Sequence, residues 1–189
     1  MNEIPYRVIY SNRRSISIEC RADGVLVRAP RGCSKARITA LLREKESWIR
    51  THMAKMQQRQ EKVQTADPIT PQELAQLKAK AKRELPQRIA YYAQKIGVTY
   101  GTVTIRHQKS RWGSCSSKGN LNFNCLLMLT PREVQDAVIV HELCHRKQMN
   151  HSKKFYQEVY RVYPDYDKWM RWLKKEGPVL IARMVQGEV

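Results

Sequence analysis

Residues 141 to 151 read HELCHRKQMNH, and this stretch restricts the fold more than any other part of the chain. Residues four apart on an α-helix lie one turn above each other on the same face. His141 and His145 therefore point two imidazoles at one place, where Zn–N bonds of about 2.0–2.1 Å close without distorting the helix. Glu142 stands beside the first histidine, within reach of a water at the metal. His151 comes six positions after His145, about 240° round a continuous helix and on the wrong side. It joins the others only if the helix ends and the chain doubles back. Asn150 tolerates positive φ and is the expected turning point, and Ser152 is the expected cap of the next helix. Three histidines with water in the fourth position describe a catalytic metal centre, not a structural one. An ordinary amphipathic helix can carry H-E-x-x-H; a third histidine at this offset, after a helix break, argues for the metal. Zinc is the expected ion, with manganese, cobalt and nickel compatible with the same donors.

The rest of the chain supplies both strands and helices. RSISIEC alternates and GVLVRAP follows a turn at Ala22-Asp23-Gly24, so residues 5 to 30 read as strands. Ser34 caps a long helical stretch in which Ile38, Leu41, Leu42, Trp48, Ile49, Met53 and Met56 recur at helical spacing. Polar TADP breaks it near residue 65. Thr70-Pro71-Gln72-Glu73 is a capping box with proline at the first helical position, and Pro86 should kink or interrupt the helix that follows. TVTIRH and LNFN read as strands around the turn-rich WGSCSSKGN. Thr130-Pro131-Arg132-Glu133 repeats the capping grammar at the start of the histidine helix. A further helix runs from Ser152 to Tyr163, where Pro164 stops it. Residues 165 to 176 form a last helix with Trp169 and Trp172, and residues 181 to 189 are expected to fray.

Composition narrows the compartment and the partners. The formal net charge is +18. Such a field attracts phosphates and polyanions, so a nucleotide or nucleic acid on the basic surface is an expected partner. The basic residues are spread over several helices, however, and solvated helix faces account for them equally well. No zinc finger, RNP-type strand or P-loop makes the binding specific. The five cysteines are scattered and form no C-x-x-C pair, which suits free thiols in a reducing compartment. The opening MNEIPYRVIY lacks the apolar core of a secretory leader, and no apolar run reaches the length of a membrane span. The expectation is a cytoplasmic protein without a membrane partner. His52, in a Lys/Arg/Gln-rich helix, reads as solvated; His107 ends a strand near the glycine turn.

HELCHRKQMNHSKKFY together with SRWGSCSSKGNLNFN resembles the YgjP-like metallopeptidases, a group of metal-dependent hydrolases, over most of the chain. The resemblance implies an α+β, zincin-like fold: a small twisted sheet, an active-site helix under it, and a cleft between. It implies one domain over residues 1–189, with a β-rich part over 1–33, long helices over 34–98, a catalytic core over 99–180 and a tail over 181–189. It implies His141, His145 and His151 as zinc ligands and Glu142 as general base. The spacing also matches metzincins and SprT-like DNA-repair proteases, but Gln148 stands where the metzincin glycine would be. In RWGSCS, Arg111 could bind a negative group or a developing oxyanion, and Trp112 could stack on a substrate or plug the core. Gly113 permits close backbone approach. Tyr156 and Glu158 are candidates to orient a ligand from behind.

Three functions follow as expectations. The first is a zinc-dependent, peptidase-like hydrolase in which Glu142 activates a metal-bound water. The second is a nucleoside triphosphate pyrophosphatase on the same site, with Arg111 and Trp112 facing an anionic, base-bearing substrate. The third is a SprT-like DNA-associated protease or a non-catalytic nucleic-acid-binding protein.

Overall fold

A computed structural model describes residues 4–21 and 24–187. Ala22 and Asp23 of the expected turn lie outside the described residues. The chain divides into two compact units, Met1–Thr65 and Ala66–Val189, at the polar break near residue 65.

The first unit holds β1 (Tyr6–Ser11), β2 (Ser17–Arg21), β3 (Gly24–Pro30), α1 (Lys35–Glu44) and α2 (Glu46–Thr65). The strand order is β1-β3-β2, with β1 parallel and β2 antiparallel to the central β3. A central strand is covered on both sides, and β3 accordingly buries Val25, Leu26, Val27 and Ala29. Ile38, Leu42 and Ile49 complete this small core. Ser34 caps α1 by accepting from the Arg37 amide at 3.3 Å, as expected. The single long helix expected here is two, divided at Lys45. Trp48 is exposed and stacks on His52 at 4.0 Å between ring centroids.

The second unit holds α3 (Pro71–Ile96), β4 (Val103–Arg106), β5 (Gly113–Cys115), β6 (Leu121–Asn124), a 3-10 turn (Cys125–Leu129), α4 (Arg132–Cys144), α5 (Lys153–Val162) and α6 (Tyr166–Gln186). On α3 a stripe at Leu77, Ala81, Leu85, Ile89, Ala93 and Ile96 is buried, the helical period made visible. Pro86 is on the opposite, exposed face, so the hydrogen bond it removes is left to water and the helix runs through. Gly97 ends the helix at φ 77°, a conformation that favours glycine. α4 packs on α3, α5, α6 and β5 and is buried almost all round, with Val134, Ala137, Val138, Ile139, Val140, Leu143 and Cys144 inside. Ile139 is fully buried, and its truncation to alanine costs about 2–5 kcal/mol. The architecture is α+β, a small sheet backed by the histidine helix, as expected.

Two expectations about helix ends change. Thr70 caps α3 through the Glu73 amide at 3.1 Å, but Thr130 does not repeat the device. Its hydroxyl donates back to Leu127 O at 2.8 Å, satisfying the end of the 3-10 turn instead. The expected fraying after residue 180 is replaced by helix through Gln186, continuous past Pro178. Tertiary contacts hold this segment: Arg183 Nε donates to Asp67 O at 2.7 Å, and Met184 is buried. Residues 188 and 189 of the expected tail lie outside the described residues.

Candidate metal centre

The helix that carries His141 and Glu142 ends at Cys144, with His145 as its C-cap still in right-handed helical geometry. That keeps both imidazoles on one face. The reversal begins at once, through Arg146 N–H to Leu143 O at 2.9 Å and Gln148 N–H to Cys144 O at 3.0 Å. It is completed without left-handed backbone, because among the described residues only glycines have positive φ. Asn150 sits in a bend but not in left-handed backbone; the helix has already ended six residues earlier, where tightened bonds begin the reversal. Two side chains hold the loop. Arg146 donates to Thr99 O at 3.0 Å and to Ser117 O at 3.2 Å. Lys147 meets Glu158 at 3.0 Å, and Ser152 caps α5 through the Phe155 amide at 3.4 Å.

This path returns His151 to the other two. The ring centroids of His141, His145 and His151 form a near-equilateral triangle with sides of 4.9, 5.0 and 4.8 Å. Phe155, fully buried on α5, lies 5.0, 4.7 and 4.9 Å from the three rings and packs against all of them. One nitrogen from each histidine lies within 4.8 Å of the others, and His141 Nε2 is 3.1 Å from His151 Nε2. Nitrogens of one tetrahedral zinc ion stand about 3.3 Å apart, so this donor set fits such an ion.

Hydrogen bonds on the far ring edges fix which nitrogen faces the centre. The Gln148 carbonyl can only accept, so His145 Nδ1, 3.1 Å away, carries the proton and Nε2 keeps its lone pair. His141 Nδ1 is 2.6 Å from the Tyr166 hydroxyl, and the two rings stack at 10°. Tyr166, buried on α6, was not legible as a site residue: it lies 25 positions from His141. Tyr156 lies at 6.3 Å from His151 between ring centroids, while Glu158 is engaged by Lys147 and Arg161 rather than by a histidine. Burial, then the neighbouring imidazoles, lowers the His141 pKa to about 3, and burial lowers that of His145. Both rings are neutral and can donate a lone pair to a metal.

Glu142 is buried, and burial raises its pKa to about 8, with Arg111 acting in the opposite direction. Gly113, the first residue of β5, lies against it. A methyl group at residue 113 would stand 2.7 Å from Glu142 Cγ and Oε1, so only glycine leaves room for the carboxylate. Asn124 ties down the preceding loop. Fully buried, it donates through Nδ2 to Gln108 O at 2.8 Å and to Arg111 O at 2.9 Å. Arg111 itself is exposed. Trp112 is half-buried, with its indole against Gly177 on α6, where a methyl group would stand 2.8 Å from Cζ2. That contact supports the core-plug alternative for Trp112.

The family described as YgjP-like, metallopeptidase domain, matches residues 14–76 and 70–176. No curated protein matches the chain. Among solved structures the chain is similar to the metallopeptidase zymogen of Pyrococcus abyssi abylysin, at 23% identity and a TM-score of 0.44, over 48% of this chain and 92% of that one. It is also similar to the metallopeptidase zymogen of Methanocaldococcus jannaschii jannalysin, at 19% identity and a TM-score of 0.45, over 50% of this chain and 97% of that one. No described helix is long and apolar enough to cross a membrane. With its family match spanning the strands, the long helices and the three converging histidines, the chain belongs to the YgjP-like metallopeptidase family.

Proposed function

We propose that the chain is a zinc-dependent hydrolase whose first substrate class is the peptide bond, with His141, His145 and His151 as ligands and Glu142 as general base. The observation that supports it most is the joint placement of three converging imidazoles and one buried carboxyl beside an edge strand. When bound, a zinc ion acidifies water, polarises a carbonyl and, by its charge, favours the ionised form of Glu142. Glu142 then takes a proton from the attacking water and delivers it to the leaving amine. Its burial keeps that proton from bulk solvent, and Gly113 holds the carboxylate in one place. Tyr166 and the Gln148 carbonyl orient the imidazoles through Nδ1.

The substrate lies along β5. Pairing with β6 uses Trp112 O and Ser116 N–H, so the alternate residues Gly113 and Cys115 turn their backbone groups to the open edge. An extended peptide added there places its next carbonyl near Glu142. Arg111, exposed beside this edge, is the side chain placed to meet a negative group. That placement also favours the second reading, hydrolysis of a nucleoside triphosphate. The test pairs wild type with Glu142→Gln, both loaded with zinc. Each is given a library of unstructured peptides, the same library tethered to DNA, and a mixture of nucleoside triphosphates. Peptide cleavage that falls by about 10²–10⁴-fold in the variant is the expected result. Cleavage only of the tethered library would select the DNA-associated protease. Release of pyrophosphate or phosphate, lost in the variant, would select nucleotide hydrolysis. Equal rates from both proteins would overturn the role of Glu142.

A further inference from the structure

The second unit carries a cavity of about 540 Å³ between α3 and the start of α4, away from the histidines. Arg132, on its wall, is nine residues before His141, about 14 Å along the helix axis. The floor is rigid. Arg88, with its side chain only 12% exposed, donates to Gln135 Oε1 at 2.7 Å and to Arg132 O at 2.8 Å, and pairs with Asp136. Gln135 in turn donates to Thr130 O at 3.1 Å. The walls are cationic: Lys80 and Arg83 from one face of α3, and Arg132 from α4. The lining has one carboxylate, Glu84, which meets Arg83 at 3.1 Å with both side chains well exposed. Such a pair is weak and gives way to a better partner. Arg88 is matched by Asp136 and one wall cation by Glu84, which leaves an excess of two positive charges around an open cavity.

We infer that this cavity is a binding site for a phosphate group, separate from the hydrolytic centre. A dianion neutralises the excess, and the guanidinium groups of Arg83 and Arg132 suit bidentate contact with phosphate oxygens. The bonds of Arg88 tie α3 to α4, so the wall cations project into the cavity from two helices that are already joined. The same chemistry arrives on a small phosphorylated molecule or on the backbone of a nucleic-acid strand.

The full chain is titrated with inorganic pyrophosphate by calorimetry and with a labelled single-stranded decanucleotide by fluorescence anisotropy. The combined variant Lys80→Gln, Arg83→Gln, Arg132→Gln is compared with wild type and with two controls. One control, Arg171→Gln, Lys174→Gln, Lys175→Gln, removes the same charge from exposed positions of α6. The other, His141→Ala with His145→Ala, removes the proposed metal ligands. Weakening of at least about tenfold is expected from the cavity variant alone, and modest tightening from Glu84→Gln. Unchanged affinity in the cavity variant, or equal weakening in the α6 control, overturns the site. Equal weakening in the histidine control assigns the binding to the metal centre and overturns it too. A salt slope that flattens by about two in the cavity variant identifies the strand as the source of the phosphate. Pyrophosphate binding that the decanucleotide does not displace identifies a small molecule. Thermal melting of each variant checks that its fold persists.

Discussion

The two units contain sheets of the same design. In each, the third strand lies in the middle, the first runs parallel to it and the second antiparallel. Their outcomes differ. In the first unit the central strand is seven residues long and buries four side chains, and the strand β2 beside it carries exposed Glu19 and Arg21. In the second unit the strands shrink to four, three and four residues, and the edge strand β5 lies on a buried helix that bears the histidines. A topology is thus only a frame. What sets the second apart is a glycine at the edge, which lets a carboxylate come up against the backbone, and a helix whose end turns back at once.

Three measurements would break or sharpen that contrast. The largest effect is expected at the edge strands. Gly113→Ala pushes a methyl group into Glu142 and should cost about 10²-fold in kcat, whereas Ser17→Ala on the corresponding strand β2 should leave kcat unchanged. Similar rates for the two variants would mean that the carboxylate position does not matter. Next, Tyr166→Phe removes the hydroxyl that fixes His141, and zinc affinity should fall by about 10- to 100-fold with the fold intact. Competition with a chromogenic chelator reads this directly, and an unchanged affinity would reduce Tyr166 to a packing residue. The smallest effect is on alkaline stability. Burial raises the Cys144 thiol and the Tyr163 phenol to about 12, and pushes Tyr92 and Tyr166 up as well. These groups are neutral when folded and ionise more readily when unfolded. Their contribution is complete below the ordinary thiol and phenol values of about 8.5–10 and is lost as pH climbs toward the folded values. The urea midpoint of the second unit should fall between about pH 9 and pH 11.5; a flat midpoint would contradict this.

Much of the candidate site is legible in local sequence, because its three histidines come from one short stretch. His141, His145 and His151 are convergent by helical periodicity plus one forced reversal. The reversal starts earlier than the expected Asn150, since a helix C-terminus can tighten into 3-10-type bonds and needs no residue with positive φ. Thr130 shows the same limit: its capping grammar matches that of Thr70, but a nearby 3-10 carbonyl competes for the hydroxyl. The contributions of Tyr166, Phe155 and Asn124 are long-range or depend on packing, which period and propensity do not encode. A fully polar residue inside the LNFN strand was the one available sign of Asn124. The end of α6 lies beyond the expected residue 176 for a related reason, since Arg183 and Met184 are held by partners outside their own helix.

The bond between Tyr166 and His141 also sets an order of events. A chain emerging from the ribosome presents His141, Glu142, His145 and His151 well before the helix that steadies them exists. Until residue 166 has emerged and docked, His141 lacks the hydroxyl that holds its Nδ1 edge in place. The proposed metal centre therefore reaches its finished geometry only once α6 has formed, and shorter nascent chains carry its histidines without that geometry.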